Sequence, residues 1–140
     1  MSWMEVLLPV FVQVILTLVV AWSLASRRIG GIRSGTVRAK DIALREPNWP
    51  NETRQYENSY LNQFELPVLF YALIALALPL RHADLFIVLM SWVFVVTRFA
   101  HAGVFVSSND LGHRSTIWLA SVLVLLAMWI YFALKMLLLI

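Results

Sequence analysis

The sequence contains no cysteine and few charged residues. Without cysteine it can form no disulfide, no cysteine nucleophile and no thiolate metal site. Any thiol chemistry would therefore need a ligand that supplies the thiol. Charged residues make up only 14% of the chain, whereas soluble domains contain about 25%. This shortage of charge argues against a soluble enzyme and against a solvated, disordered tail.

Apolar residues are correspondingly abundant. They account for 61% of the 140 residues, and the mean hydropathy is +0.77. A soluble domain of this length could not bury so much hydrocarbon, because a small domain has too much surface for its volume. The composition therefore predicts an integral membrane protein. The formal net charge of +3 does not favour a nucleic acid partner, because the basic residues are not interleaved with aromatic residues in the pattern of a binding groove.

Four long apolar runs predict four membrane-spanning helices. A bilayer core needs about 20 apolar residues per helix, and uninterrupted runs favour helices over the strands of a barrel. The predicted fold is all-α, an integral membrane four-helix bundle in one domain covering residues 1–140. The first run is too long for a secretory signal peptide and follows no cation, so it is predicted to be a retained span. The predicted spans are about 5–26, 56–80, 84–107 and 112–138.

The cations are concentrated in the first connection, predicted at about 27–55. Seven of the eleven Lys and Arg residues lie there, and the connection also holds three glycines and two prolines. By the positive-inside rule this connection is predicted to be cytoplasmic. Both termini should then lie outside, and the third connection inside.

Polar residues inside the predicted spans are the strongest functional signal. Each such group is costly in a membrane, so each is a candidate for function. Asn62 and Glu65 are three residues apart and share a helix face. The same spacing separates Arg98 from His101 near the end of the third span. The predicted fourth span opens with Arg114 and Ser115.

The predicted topology brings these groups to one depth. The second span begins inside, the third ends inside and the fourth begins inside, so a single polar pocket could form in the cytoplasmic half. Structural alternatives stay open: an interhelical ion pair of Glu65 with Arg98, a core role for His101, and an Arg114 that reaches the headgroups. The three histidines lie at different ends and depths and predict no metal site.

These residues resemble the MAPEG family, the membrane-associated proteins of eicosanoid and glutathione metabolism. The similarity covers nearly the whole chain. It includes the four spans, the long basic first connection, Asn62 and Glu65 followed by Pro67, and Arg98 with His101 closing the third span. The segment AMWIYFAL near the end is similar to bacterial members. The resemblance implies a homotrimeric four-helix bundle, a multi-pass protein of the bacterial cell membrane.

The resemblance also implies a function and site residues. Family members that use glutathione bind it between subunits, in the cytoplasmic half of the membrane. Asn62 and Glu65 would then hold the tripeptide, with Arg98 and His101 as further ligand-binding residues. Arg114, supported by Ser115, would stabilise the thiolate. The implied activity is a glutathione-dependent transferase or peroxidase acting on a lipophilic small molecule, with glutathione as cosubstrate and no metal.

The sequence also departs from the family pattern. Asn58 and Leu61 stand where glutathione-using members commonly carry arginine, and Phe105 replaces a common tyrosine. A non-catalytic membrane protein of the same fold, binding a lipid or a small amphiphile, is therefore the alternative prediction. A transporter is disfavoured, because four spans without a pair of broken helices offer no evident path.

Overall fold

The computed structural model describes residues 2–138, and residues 1, 139 and 140 lie outside the described part. Its secondary structure is helical throughout, with no strand among the described residues. A short 3-10 turn, Ala39–Asp41, lies in the first connection. The five α-helices in chain order are α1 (Trp3–Arg33), α2 (Asn51–Asn62), α3 (Leu66–Ala77), α4 (Leu85–Val106) and α5 (Leu111–Leu138).

These helices give four segments that are long and apolar enough to cross a membrane. Within the described residues they are α1, the α2–α3 pair, α4 and α5. Their most apolar stretches have a mean hydropathy of 1.3–2.4, yet no more than 44% of the residues in those stretches are buried in the monomer. Large side chains such as Leu18, Trp22 and Val96 are well exposed. Soluble monomers do not expose apolar surface on this scale, so the all-α, four-span prediction is confirmed.

Helix α1 runs to Arg33, about two turns past its predicted end near residue 26. The glycine pair Gly30–Gly31 does not stop it, because tertiary contacts support the extension. Side-chain atoms of Trp49 and Val37 lie 3.6 Å from the point where a Cβ on Gly31 would stand. An ion pair of 3.0 Å joins Arg27 Nη2 to Glu52 Oε1 on α2. The unstructured part of the basic connection is correspondingly shorter.

The second span is broken between α2 and α3. Pro67 lies in the first turn of α3, where it lacks an N–H and its ring displaces the carbonyl four residues earlier. Between the two helices the backbone hydrogen bonds span three residues instead of four. Phe64 N donates to Leu61 O at 3.0 Å, and Glu65 N donates to Asn62 O at 3.3 Å. The break therefore falls between Asn62 and Glu65, next to the kink that Pro67 predicts.

Helix α4 is the centre of the bundle and packs against α1, α2 and α5. Its buried face includes Phe94, which stacks on Phe70 of α3 with ring centroids 4.9 Å apart. Arg98 and His101 continue the same buried face toward the end of α4 that adjoins the basic connection. The fold thus places two polar side chains in an interior that is otherwise mostly apolar.

Candidate functional site

One cavity, of about 440 Å³, gathers four of the six predicted site residues. It opens beside the end of α4 and the start of α5, where the second, third and fourth spans meet. Its volume is within the range of small-molecule sites, which is about 300–1,000 Å³. The lining residues are Asn62, His101, Phe105, Arg114, Ser115, Trp118 and Leu119.

Arg114 is held in place from two sides. Its Nη1 donates to Asn109 Oδ1 at 2.6 Å, and its Cζ lies 4.4 Å from the ring centroid of Phe105. Asn109 adopts a left-handed backbone (φ 51°) in the turn between α4 and α5, a conformation that asparagine tolerates well. The turn therefore fixes the guanidinium at the cavity wall, with donors left over for a ligand.

Asn62 and Ser115 add neutral hydrogen-bonding groups to the same wall. Asn62 Nδ2 donates to Asn58 O at 3.1 Å, one turn back on α2. This bond orients the amide and leaves its Oδ1 free to accept from a ligand. Ser115 is exposed in the first turn of α5, directly after Arg114.

Arg98 lies behind the cavity rather than in its lining. It is fully buried, and its Nη2 contacts His101 Nδ1 at 3.3 Å. Its Nε and Nη1 have no hydrogen-bond partner among residues 2–138. His101 lines the cavity, as Arg114 does. His101 thus stands between a buried guanidinium and one that reaches the cavity.

Glu65 is the second predicted residue outside the cavity lining. It follows the break after α2 and is exposed on the surface of the subunit. Within the described part of the chain it forms no ion pair with Arg98. The structural alternative of an interhelical Glu65–Arg98 pair is therefore not formed in the monomer. No cluster of His, Asp or Glu side chains among residues 2–138 is suited to a metal ion.

Comparison with known families identifies the family of the chain. The model of the MAPEG family matches residues 6–134, which is nearly the complete chain. The chain belongs to the MAPEG family. The match and the four spans make it an integral, multi-pass membrane protein. No curated protein and no solved structure matches the chain significantly.

This MAPEG protein also has a buried polar network that the sequence patterns did not reveal. Gln13 Nε2 donates to Gln63 Oε1 at 2.9 Å, and both amides are almost fully buried. Gln63 Nε2 in turn donates to Ser59 O at 3.2 Å. The network ties α1 to the last turn before the break, next to Asn62. A lone glutamine in an apolar run was the available signal, but its partner lies 50 residues away.

Three further residues of the site were missed in the sequence. Trp118 and Leu119 form the apolar side of the cavity, and their periodicity alone is that of any lipid-facing helix. Asn109 was assigned only to a turn, although an asparagine five residues before Arg114 can reach its guanidinium. The cavity thus combines a fixed cation, neutral polar groups and an apolar wall.

Proposed function

We propose that this MAPEG protein is a glutathione-dependent membrane enzyme, a transferase or peroxidase for lipophilic electrophiles or hydroperoxides. The observation that carries the proposal is the fixed Arg114 guanidinium in a cavity that is also lined by Asn62 and Ser115. A cation held at an apolar, partly enclosed wall suits a ligand with a thiolate next to a lipophilic cosubstrate. Because the chain has no cysteine, the thiol belongs to the ligand.

In this proposal Arg114 acts on the reacting sulfur. A neighbouring guanidinium stabilises a thiolate relative to the thiol and so increases the population of the nucleophile. The Ser115 hydroxyl would donate a hydrogen bond to the same sulfur. In the transferase reaction the sulfur attacks an electrophilic carbon, a carbon–sulfur bond forms, and the leaving group departs with its electron pair. Trp118 and Leu119 would keep the lipophilic cosubstrate close to the sulfur.

The remaining predicted residues would bind the tripeptide. Asn62 Oδ1 is available to accept from a backbone N–H of the ligand. Glu65 is suited to its ammonium group and His101 to a polar contact at the cavity wall. Arg98, buried behind His101, would act on the ligand carboxylates through its charge and its unpaired donors once the assembled site is formed.

The proposal includes a homotrimer with the site completed between subunits. Glu65 supports assembly, because a carboxylate exposed on the surface of a membrane-spanning segment is costly unless it meets a partner. In an assembly with cyclic symmetry every subunit presents Glu65 to the same neighbouring surface. We propose further that the basic connection is cytoplasmic and the N-terminus outside, in a bacterial cell membrane.

Calorimetric titration of the detergent-purified protein with glutathione tests the proposal. We expect saturable binding, weakened by Asn62→Ala. Asn51→Ala is the matched control, because Asn51 is an exposed asparagine on α2 that does not line the cavity. Absence of heat beyond dilution in the wild-type protein would contradict the proposal.

A non-catalytic role is the second candidate, and Phe105 favours it. Phe105 offers Arg114 a ring face and no hydroxyl. The cavity therefore has one hydrogen-bond donor fewer for a polar ligand than it would have with tyrosine at this position. A bound lipid or small amphiphile without turnover would fit this more apolar wall. Glutathione binding without any reaction toward generic electrophiles or hydroperoxides would favour this second function.

A further inference from the structure

A separate pair of cavities lies where the basic connection folds against α1 and α2. The polar chamber, of about 430 Å³, has charged and aromatic walls. The apolar chamber, of about 370 Å³, is lined mainly by Ala21, Leu24, Ala25 and Ile29 of α1. Arg28 and Tyr60 line both chambers, so the two adjoin each other. Neither chamber shares a lining residue with the cavity at Arg114.

The polar chamber contains equal numbers of cations and carboxylates. Arg28 Nη2 pairs with Glu57 Oε1 at 2.9 Å, while the buried Nε of Arg28 has no partner within residues 2–138. Arg45 forms no ion pair in that part of the chain. Glu46 uses only Oε1, which accepts from Leu44 N at 3.0 Å. An arginine without an ion pair in the described residues and a carboxylate oxygen without a hydrogen bond there therefore line one chamber.

The loop holds Arg45 at this wall in a strained backbone. Its φ of 66° is left-handed, a conformation that costs a residue with a side chain about 1–2 kcal/mol. The turn is closed by Arg45 N donating to Ile42 O at 3.2 Å. Strain of this kind persists where the surroundings enforce it and is concentrated at functional positions. Arg45 is one of the residues that line the polar chamber.

The apolar chamber extends from this polar chamber along a membrane-spanning helix. Ala21 and Ala25 are one turn apart, and their small side chains leave room along α1 between bulkier neighbours. A ligand that fits both chambers needs a compact, charge-balanced head and an apolar chain. A purely anionic head would meet both Glu46 and Glu57, and a purely cationic head would meet both arginines.

We propose that the joined chambers bind a zwitterionic phospholipid whose head carries a primary ammonium, as phosphatidylethanolamine does. The phosphate contacts the guanidinium groups of Arg45 and Arg28, which both line the polar chamber and can form charge-assisted hydrogen bonds with it. The ammonium contacts Glu46, whose Oε2 has no hydrogen bond within the described residues. One acyl chain lies along Ala21 and Ala25. This inference is independent of the glutathione proposal.

Native mass spectrometry of the full-length protein in mild detergent tests the inference. The protein is titrated with dioleoyl phosphatidylethanolamine, phosphatidylcholine and phosphatidylglycerol, which share their acyl chains. We expect phosphatidylethanolamine to be retained at several-fold lower concentration than the other two. Arg45→Gln and Glu46→Gln should each reduce that retention about tenfold, or about 1.4 kcal/mol. Arg54→Gln, the same charge change as Arg45→Gln on the exposed face of α2, should not.

A second variant tests the acyl-chain part of the site. Ala25 is exposed, so Ala25→Phe should fold normally while filling the apolar chamber. We expect it to reduce retention of all three lipids. Equal retention of the three lipids by the wild-type protein would overturn the inference, as would preference for phosphatidylglycerol. Equal effects of Arg45→Gln and Arg54→Gln would also overturn it, since they would indicate attraction by net charge alone.

Discussion

The polar side chains at the two ends of the bundle differ in how completely they are hydrogen-bonded. At the end away from the basic connection, Asp84 caps α4 by accepting from Ile87 N at 3.3 Å. Its other oxygen accepts from Lys135 Nζ at 2.8 Å and from the Tyr131 hydroxyl of α5. At the end with the candidate site, Arg98 has only His101 and leaves two buried nitrogens unpaired within residues 2–138. The first cluster is complete within the monomer, and the second is not.

This difference distinguishes polar groups that stabilise the fold from polar groups that are candidates for function. A polar group that its neighbours satisfy is explained by folding, whereas a buried, unpaired one lowers stability and needs another reason to be there. Five of the six buried side-chain atoms without a partner in residues 2–138 lie on α1, α2 and α4. The sixth, Trp129 Nε1 on α5, is the exception. The comparison therefore directs attention to the end of the bundle where Arg98, His101 and Arg114 lie.

The largest expected effect follows from Arg114→Ala. Loss of the guanidinium should reduce turnover on the order of 100-fold, as removal of one charge-stabilising donor commonly does. The Michaelis constant for glutathione should change much less, because the cation acts on the sulfur in the reaction step. Steady-state kinetics with a generic electrophile provides the measurement. If Arg114→Ala keeps the full rate, Arg114 takes no part in the reaction.

Glu65→Gln should have a smaller effect of another kind. We expect the dissociation constant for glutathione to increase about tenfold, which corresponds to about 1.4 kcal/mol, with little change in the saturated rate. The reason is that Glu65 is proposed to contact the ligand ammonium, far from the sulfur. Glu57→Gln alters a carboxylate of the same span outside this site and should leave the constant unchanged. An unaltered constant in Glu65→Gln would exclude the ammonium contact.

Asp84→Asn should lower stability without affecting the reaction. The amide loses the ionic part of its bonds to Lys135 and Tyr131, and the partly exposed site limits the loss to about 1 kcal/mol. Thermal unfolding in detergent measures the change, and turnover at a temperature below unfolding is the control. Reduced turnover in a fully folded Asp84→Asn protein would contradict the assignment of Asp84 to stability and of the other end of the bundle to the reaction.

The contribution of Asp84 to stability should depend on pH. Burial raises the pKa of Asp84, but the hydrogen bonds from Lys135, Tyr131 and Ile87 N together outweigh it and hold the pKa below its ordinary value. A depressed pKa stabilises the fold above the unfolded value of about 3.9, and this contribution is lost as the pH falls further. The wild-type melting temperature should therefore fall more than that of Asp84→Asn below pH 4. Parallel curves for the two proteins would contradict this role.

The smallest expected change in stability is that of Arg98→Met. A buried, incompletely paired charge contributes little net stability, so an apolar side chain of similar length should be tolerated within about 1 kcal/mol. The same variant should bind glutathione more weakly if Arg98 is kept for the ligand. A large drop in the melting temperature would instead make Arg98 a structural residue, and the comparison of the two ends would fail.

The sequence predicted the parts of the fold that depend on local pattern. The four apolar runs predicted the spans, and Pro67 predicted a kink close to the observed break. The polar groups predicted to lie at one depth were Asn62, Glu65, Arg98, His101 and Arg114. The structure brings Asn62, His101 and Arg114 to one cavity, together with Ser115, whereas Arg98 and Glu65 lie outside its lining. Helical spacing and the alternation of span directions predicted the three that meet there.

The parts that could not be predicted depend on distant contacts. Helix α1 continues through Gly31 because Trp49 and Val37 pack against it there from the loop, and no local propensity reports such packing. Spacing placed Arg98 beside His101 but could not show that other helices would bury it completely. The Gln13–Gln63 bond joins residues in separate spans and has no local signal.

The most direct test of the account is the ultraviolet absorbance of a thiolate when glutathione is added to the purified protein at neutral pH. The account predicts a thiolate signal in the wild-type protein and in Asp84→Asn, and its loss in Arg114→Ala at saturating glutathione. This result would place the ligand sulfur beside the fixed guanidinium. No thiolate signal in the wild-type protein, or a signal of full size in Arg114→Ala, would contradict the central claim.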